Sequence, residues 1–306
     1  MKALITGSQG FVGHYLRQEL ESNGYTVTGL DVQAGDNTIQ VDLLDSEQVK
    51  AAVWEVAPDI VIHLAGQANV GLSWKIPQKT VQINLVGTIN LMEAVREFNP
   101  YVRMVLVGSS DQYGNLGVAG ADVCEDLLTK PQTPYAVSKK AQEEMAMVYV
   151  KAYGMNICMT RSFNHGGAGQ REGFLIPDFA AGIVRVERGE AAELRVGNLS
   201  ARRDFTHVKD IVRAYRLLAE KGCAGEVYNV GSGKTVSAQE ILDQLREMAR
   251  CHIPVSQDPA KMRPSDTPVI CCNHDKLTRD TGWVPVYVIE DIVRETLLFF
   301  REKEDL

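Results

Sequence analysis

The chain opens with a short apolar run over residues 2–6 that stops at Gly7. From Phe11 the period changes. Phe11, Val12, Tyr15, Leu16 and Leu20 recur at helical spacing, so the pattern predicts strand, glycine turn, helix. A second strand, Thr26–Leu30, ends at Asp31, and Val41-Asp42-Leu43 closes a third. The nearly continuous apolar run from Ile60 to Ala65 predicts a strand covered on both faces. A long helix over about 80–98, a buried strand over 102–107 and a helix from Pro134 to about Tyr153 follow. Beyond residue 163 the alternation is less regular. Helices are predicted near 175–189, 208–220, 237–250 and 289–302, with a strand near 226–230, and prolines at 254, 259, 264, 268 and 285 break the last quarter into loops and short strands.

This order predicts an α/β protein, a Rossmann-type doubly wound parallel sheet with a smaller C-terminal substrate-binding lobe. The dinucleotide-binding part is expected over 1–162, with about 204–231 returning to it. Residues 163–306 are expected mainly in the second lobe. At 306 residues there is room for both.

The net charge of −7 argues against a nucleic-acid partner, and no apolar run approaches the ~20 residues of a membrane span. The N-terminus has no signal-peptide pattern. Six scattered cysteines without a Cys-x-x-Cys motif predict reduced thiols, a cytoplasmic location and no metal site.

The glycine turn carries the first chemistry. In Gly7-Ser8-Gln9-Gly10-Phe11-Val12-Gly13, Gly7 permits a tight turn, Gly10 lets a pyrophosphate approach and Gly13 lets the helix pack closely on the sheet. The helix N-terminus offers free N–H groups to phosphates. Asp31, at the end of the second strand, suits the hydroxyls of an adenosine ribose and repels a 2′-phosphate, which favours NAD(H) and leaves NADP(H) possible. Asp42 and Leu43 fall near the adenine edge. Gly66, after Leu64-Ala65, lets the backbone pass close to a cofactor, whereas His63 is expected to be structural. Tyr135-x-x-x-Lys139 places a phenol and an ammonium on one helical face, with Thr133 as cap and Pro134 in the first turn. The lysine is expected to bring the phenol pKa down from ~10 toward neutrality. Ser109 and Asp111, at a strand end, are further site candidates.

Taken in order, these motifs resemble those of the extended short-chain dehydrogenase/reductases that act on nucleotide sugars. The match includes the Gly7/Gly10/Gly13 loop, Asp31, His63-Leu64-Ala65 and Asn84-x-x-Gly87-Thr88-x-Asn90-Leu91. It continues through Ser109 before Tyr113-Gly114, Tyr135-x-x-x-Lys139, Arg203-Asp204-Phe205 and Arg263-Pro264-Ser265. The segments 160–170 and 196–206 look most like the GDP-sugar branch, above all the GDP-4-keto-6-deoxy-mannose reductases that form GDP-rhamnose, and next the GDP-mannose 4,6-dehydratases. Two positions depart from the usual pattern: Gly167-Ala168 replaces Gly-Pro, and His207 replaces an aspartate.

The resemblance implies that Tyr135 exchanges a proton with the C4 oxygen of a sugar, that Lys139 tunes it and binds the nicotinamide ribose, and that Ser109 holds the same oxygen. It implies a cofactor site formed by Gly7, Gln9, Gly10, Phe11, Val12, Gly13, Asp31, Asp42, Leu43, Leu64, Ala65, Gly66, Asn84, Tyr135 and Lys139. Asn164, Asn198, Arg203 and Arg263 are implied for the GDP-sugar, with arginine forks suited to its diphosphate. His165 and His207 read as structural. A homodimer through the helices near 80–98 and 134–153 is implied as well.

Asp111 does not separate reduction from dehydration, because an acid two places after the serine occurs in both. A 4-epimerase with tightly held NAD also remains open. Asp31 is mildly awkward for a reductase that consumes NADPH. A non-catalytic dinucleotide-binding sensor is the remote alternative, opposed by the intact Ser109, Tyr135 and Lys139.

Overall fold

The computed structural model describes residues 1–115, 122–261 and 269–303. Seven strands form one parallel sheet in the order Val227–Val230, Ile157–Ser162, Arg103–Ser109, Ile60–His63, Lys2–Thr6, Thr26–Asp31, Thr38–Gln40. The chain reverses direction across the sheet between Lys2–Thr6 and Ile60–His63. At that switch point the carboxyl ends of the strands open a crevice where ligands bind in sheets of this kind.

Both faces of the sheet are covered, and for that reason its central strands Lys2–Thr6, Ile60–His63 and Arg103–Ser109 carry near-continuous apolar runs. Ala3 and Ile5 point to one face, where Leu16 and Leu20 of helix Phe11–Ser22 and Ile211, Tyr215 and Leu218 of helix Val208–Lys221 pack. Leu4 points to the other, against Val49, Leu91, Val95 and Tyr149 from helices Ser46–Val56, Gly87–Phe98 and Pro134–Tyr153. Helix Val208–Lys221 and strand Val227–Val230 thus join the large sheet from late in the sequence.

Helices Leu175–Glu187, Ala238–Glu247 and Ile289–Lys303 enclose a separate apolar core with Ile176, Phe179, Ile241 and Leu297. Beside it lies a second sheet, in the order Thr235–Ser237, Arg202–His207, Val269–Cys272, Asp122–Val123, with Asn164–Gly166 also paired to Arg202–His207.

Three local expectations are corrected. The third strand is Thr38–Gln40, and Val41 to Leu43 follow it. The helix expected over 80–98 is three pieces: Pro77–Val81, a π turn over Gln82–Val86, and Gly87–Phe98. A π turn inserts a residue and re-aims the side chains near it, often at functional sites; here it contains Asn84. Gly13 has a different task from the one expected. A Cβ there would lie 2.5 Å from Gly7 O and 2.6 Å from Ser8 O, so it lets the helix fold back on its own loop.

Candidate active site

The Tyr135 helix starts where the sequence places it. Thr133 Oγ1 accepts the N–H of Ala136 at 3.0 Å, Pro134 occupies the first turn, and Gly154 ends the helix in the left-handed conformation at φ 66°. Tyr135, Lys139 and Ser109 are all buried. The Lys139 ammonium donates to Val107 O at 2.8 Å and to Gln142 Oε1 at 3.0 Å, and burial lowers its pKa to about 8. Ser109 Oγ accepts the N–H of Asp111 at 3.2 Å.

The phenol of Tyr135 does not behave as the lysine spacing suggested. Burial raises its pKa, the Asp111 carboxylate raises it further, and the Ser109 hydroxyl beside it opposes the rise. Desolvation of the buried phenolate is the largest effect, and the Lys139 ammonium is turned to Val107 and Gln142 instead. This environment favours the neutral phenol over the phenolate.

His63 is fully buried, and its ring bridges Thr6 Oγ1 at 2.6 Å and Thr88 Oγ1 at 2.8 Å. Burial, with Lys139 nearby, lowers its pKa to about 3. The Thr88 hydroxyl donates to Asn84 O, so Thr88 Oγ1 accepts from His63 Nε2–H, and Nδ1 accepts from Thr6. The ring is a neutral strut.

Around the glycine loop, Gly7 sits at φ 72°, and a Cβ on it would fall 2.8 Å from Ala65 N. Gly10 caps helix Phe11–Ser22 without a side chain, leaving the first N–H groups facing out. Asp31 Oδ2 accepts Gln9 N–H at 2.9 Å and Oδ1 accepts Gln33 N–H at 3.0 Å, which fixes its charge beside the loop. Asp42 is exposed and accepts Leu44 N–H at 3.0 Å, while Leu43 is buried and its carbonyl accepts from Asn90 at 2.8 Å. Asn84 accepts Gln67 N–H at 2.7 Å and donates to Ser138 Oγ at 2.9 Å. A Cβ on Gly66 would lie 3.0 Å from Asn84 Oδ1 and 3.6 Å from Lys139 Nζ, so the exposed backbone at 66 borders both. Phe11 and Tyr15 reach the second lobe, where the Tyr15 hydroxyl donates to Ala168 O at 2.9 Å. That bond uses the backbone at 168, which the replacement of proline by alanine leaves in place.

On the other side of the crevice, Asn164 is exposed on a strand that pairs with Phe205 to His207. Asn198 Oδ1 accepts from Ser200 N at 3.0 Å and Oγ at 2.8 Å. Arg203 is half-buried and donates to Arg202 O at 2.8 Å. Arg263 lies outside the described residues. His165 Nδ1 is 3.0 Å from Phe163 O. His207 does the capping work of an aspartate: its Nδ1 accepts Lys209 N–H at 3.1 Å at the start of helix Val208–Lys221, and Nε2 donates to Glu295 at 3.1 Å.

Sequence reasoning missed a buried polar group behind the site. Arg161 forms a two-pronged pair with Glu143, at 2.9 and 2.8 Å, and donates to the Tyr113 hydroxyl at 2.9 Å. Glu143 accepts from Gln112 Nε2 at 2.7 Å. A signal was present: Arg161 is a cation near the end of a strand that opens with Ile157-Cys158-Met159, and a buried cation requires a partner. Glu143, four residues after Lys139, shares its helical face.

A doubly wound parallel sheet, a glycine loop at its switch point and a buried Ser-Tyr-Lys cluster define an NAD(P)-dependent oxidoreductase of the extended short-chain dehydrogenase/reductase class. More particularly, the chain belongs to the GDP-mannose 4,6 dehydratase family, whose model matches residues 4–296. It is 35% identical to the GDP-6-deoxy-D-mannose reductase of Pseudomonas aeruginosa over 97% of this chain and 96% of the relative. It is 26% identical to a GDP-mannose 4,6-dehydratase of Vibrio cholerae over 97% and 93%. Among solved structures, RMD from Pseudomonas aeruginosa complexed with NADPH matches at TM-score 0.89 and 34% identity over 99% of both chains. The Thermus thermophilus UDP-glucose 4-epimerase complex with NAD matches at TM-score 0.87 and 28% identity over 98% and 99%.

Proposed function

We infer that this protein reduces GDP-4-keto-6-deoxy-D-mannose at C4 to GDP-D-rhamnose. The similarity to the Pseudomonas reductase over nearly the whole of both chains supports this reading, and one observation of the site carries it: the Tyr135 phenol lies buried beside the Ser109 hydroxyl, so that one ketone oxygen could take hydrogen bonds from both. Reduction of a ketone needs a proton for the new alkoxide, and a proton-loaded phenol is the donor form.

The residues present fit a nicotinamide dinucleotide. The side-chain-free helix start at Gly10 suits its pyrophosphate, and the exposed backbone at Gly66, bordered by Asn84 and Lys139, suits its nicotinamide ribose. Leu64, Ala65, Gln9, Phe11 and Val12 would complete the pocket, with Asp42 and Leu43 toward the adenine. When bound, the dinucleotide supplies the hydride. Tyr135 gives its proton to the C4 oxygen, Ser109 donates to the same oxygen and holds it, and the Lys139 ammonium stabilises the phenolate left behind. Asn164, Asn198, Arg203 and Arg263 would grip the GDP-sugar, with the arginines on the diphosphate. In this reading residues 1–162, with 204–231 returning, bind the dinucleotide, and the remainder of 163–306 mainly binds the nucleotide sugar. Six free thiols suit a reducing, cytoplasmic setting.

Asp31 favours NAD(H) over NADP(H). Its anchored carboxylate can accept both ribose hydroxyls, and a 2′-phosphate would remove one donor and bring like charge close. After solvent screening we expect a preference of roughly ten- to a hundredfold, about 1.4–2.7 kcal/mol. Titration with both dinucleotides checks this; equal or tighter NADP(H) binding would mean that Asp31 does not face the ribose.

The exposed Val137 and Val148 share one face of helix Pro134–Tyr153, and Val81 and Val86 lie on the neighbouring segment, an apolar surface suited to a homodimer. The decisive experiment incubates the protein with GDP-mannose and, separately, with its 4-keto-6-deoxy derivative, each with NAD(H) and NADP(H), and follows nicotinamide absorbance and the product sugar. Oxidation of reduced cofactor only with the keto sugar supports reduction. Conversion of GDP-mannose without net cofactor turnover would establish dehydration instead.

A further inference from the structure

We propose that Gln112 is a positioning residue for Ser109, its amide locked in one orientation by the Glu143–Arg161 ion pair. The inference rests on the reading above that Ser109 acts on the substrate oxygen. Gln112 is fully buried and bridges two elements of the site. Its Oε1 accepts the backbone N–H of Ser109 at 3.1 Å, and its Nε2 donates to Glu143 Oε2 at 2.7 Å. An ionised carboxylate only accepts hydrogen bonds, so the NH₂ end must face Glu143 and the carbonyl end is left for Ser109.

Glu143 cannot drift. Arg161 holds both its oxygens, Lys140 Nζ donates to it at 3.0 Å, and these two cations keep its carboxyl below the ordinary range although burial alone would raise it. Glu143 also lies on the helix that carries Tyr135 and Lys139. The chain Arg161–Glu143–Gln112–Ser109 therefore ties the serine backbone to the helix of the proton donor. The space is made for it: a Cβ on Gly108 would fall 2.8 Å from Gln112 Oε1. Gln112 touches neither substrate nor cofactor in this reading; it acts through Ser109.

The test is a double-mutant cycle with Gln112→Met and Ser109→Ala. It measures kcat for the keto sugar, dinucleotide Kd and thermal unfolding. Gln112→Met should lower kcat about tenfold or more with dinucleotide Kd unchanged, and should add less than about twofold in the Ser109→Ala background. The same factor in both backgrounds, or a kcat within about twofold of the parent, would overturn the proposal. Parental activity in Ser109→Ala alone would remove the role of Ser109 itself, a separate failure.

Should Gln112→Met not fold, Gln112→Glu keeps the shape. When protonated, the introduced carboxyl offers the same donor to Glu143 and the same acceptor to Ser109. Arg161 and Lys140 face the pair as cations, and Asp111 lies on the same turn as an anion. The activity of this variant relative to the parent should fall as pH rises and the pair loses its shared proton; a ratio independent of pH would overturn the proposal.

Discussion

At the scale of single residues, the site works by desolvation. Burying a phenol and an ammonium pushes their pKa values apart, Tyr135 up and Lys139 down to about 8, which disfavours the phenolate and weakens the hold of Lys139 on its proton. Tyr135→Phe should lower kcat by about 10²- to 10⁴-fold while dinucleotide affinity, measured by titration, stays near the parent's. Lys139→Met should lose activity and dinucleotide affinity together. The pH dependence has a definite sign. Binding favours the ammonium, and the free protein loses that proton above about 8, so affinity should weaken as pH rises past that value. The step should be absent in Lys139→Met. A parent with flat affinity across this range would mean that the ammonium does not contact the dinucleotide.

At the scale of elements, the Arg161–Glu143 pair joins strand Ile157–Ser162 to helix Pro134–Tyr153, and both side chains are buried. Removing one partner strands the other charge. Arg161→Met should therefore cost about 3–5 kcal/mol of stability, read as a lowered urea midpoint. Glu143 has its folded-state pKa depressed. Its contribution is complete above the unfolded carboxylate value of ~4.3 and is lost as acid carries the pH down through the folded value. The parent should lose part of its advantage over Arg161→Met in that acid range and none of it at neutral pH. Asp204 is a comparable staple in the second sheet: it accepts from Ser232, Gly233 and Cys272, joining strand Arg202–His207 to the loop at 232 and strand Val269–Cys272.

At the scale of the whole molecule, the crevice brings the glycine loop from the first residues together with a strand from beyond residue 200. Arg203→Ala should weaken binding of GDP-sugar by roughly 10- to 150-fold, the worth of a charge-assisted contact, and leave dinucleotide binding unchanged. GDP affinity equal to the parent's would mean that Arg203 does not touch the nucleotide sugar. Val137→Lys with Val148→Lys places two cations on the apolar face of helix Pro134–Tyr153. If that face joins two copies, sedimentation should show the double variant as monomer where the parent is dimer. A dimer that survives would move the interface elsewhere.

Period and spacing alone determined the alternating strands and helices, the doubly wound class, the glycine loop and the helix that Tyr135 and Lys139 share. Those features depend on residues within a turn or two of one another, or on burial on both faces of a sheet, and each leaves a mark in a short window of sequence. The shared motifs extended this to the family and to Ser109. Tertiary structure alone decided the sign of the Tyr135 shift, because desolvation depends on everything packed around the phenol. It also placed the π turn at Asn84 and set Gly13 against its own loop. It joined Gln112, Glu143 and Arg161, separated by as much as 49 positions in the chain, into one network. No local pattern encodes such a partnership, since the buried cation at 161 announces only that some partner must exist, and the fold chooses which.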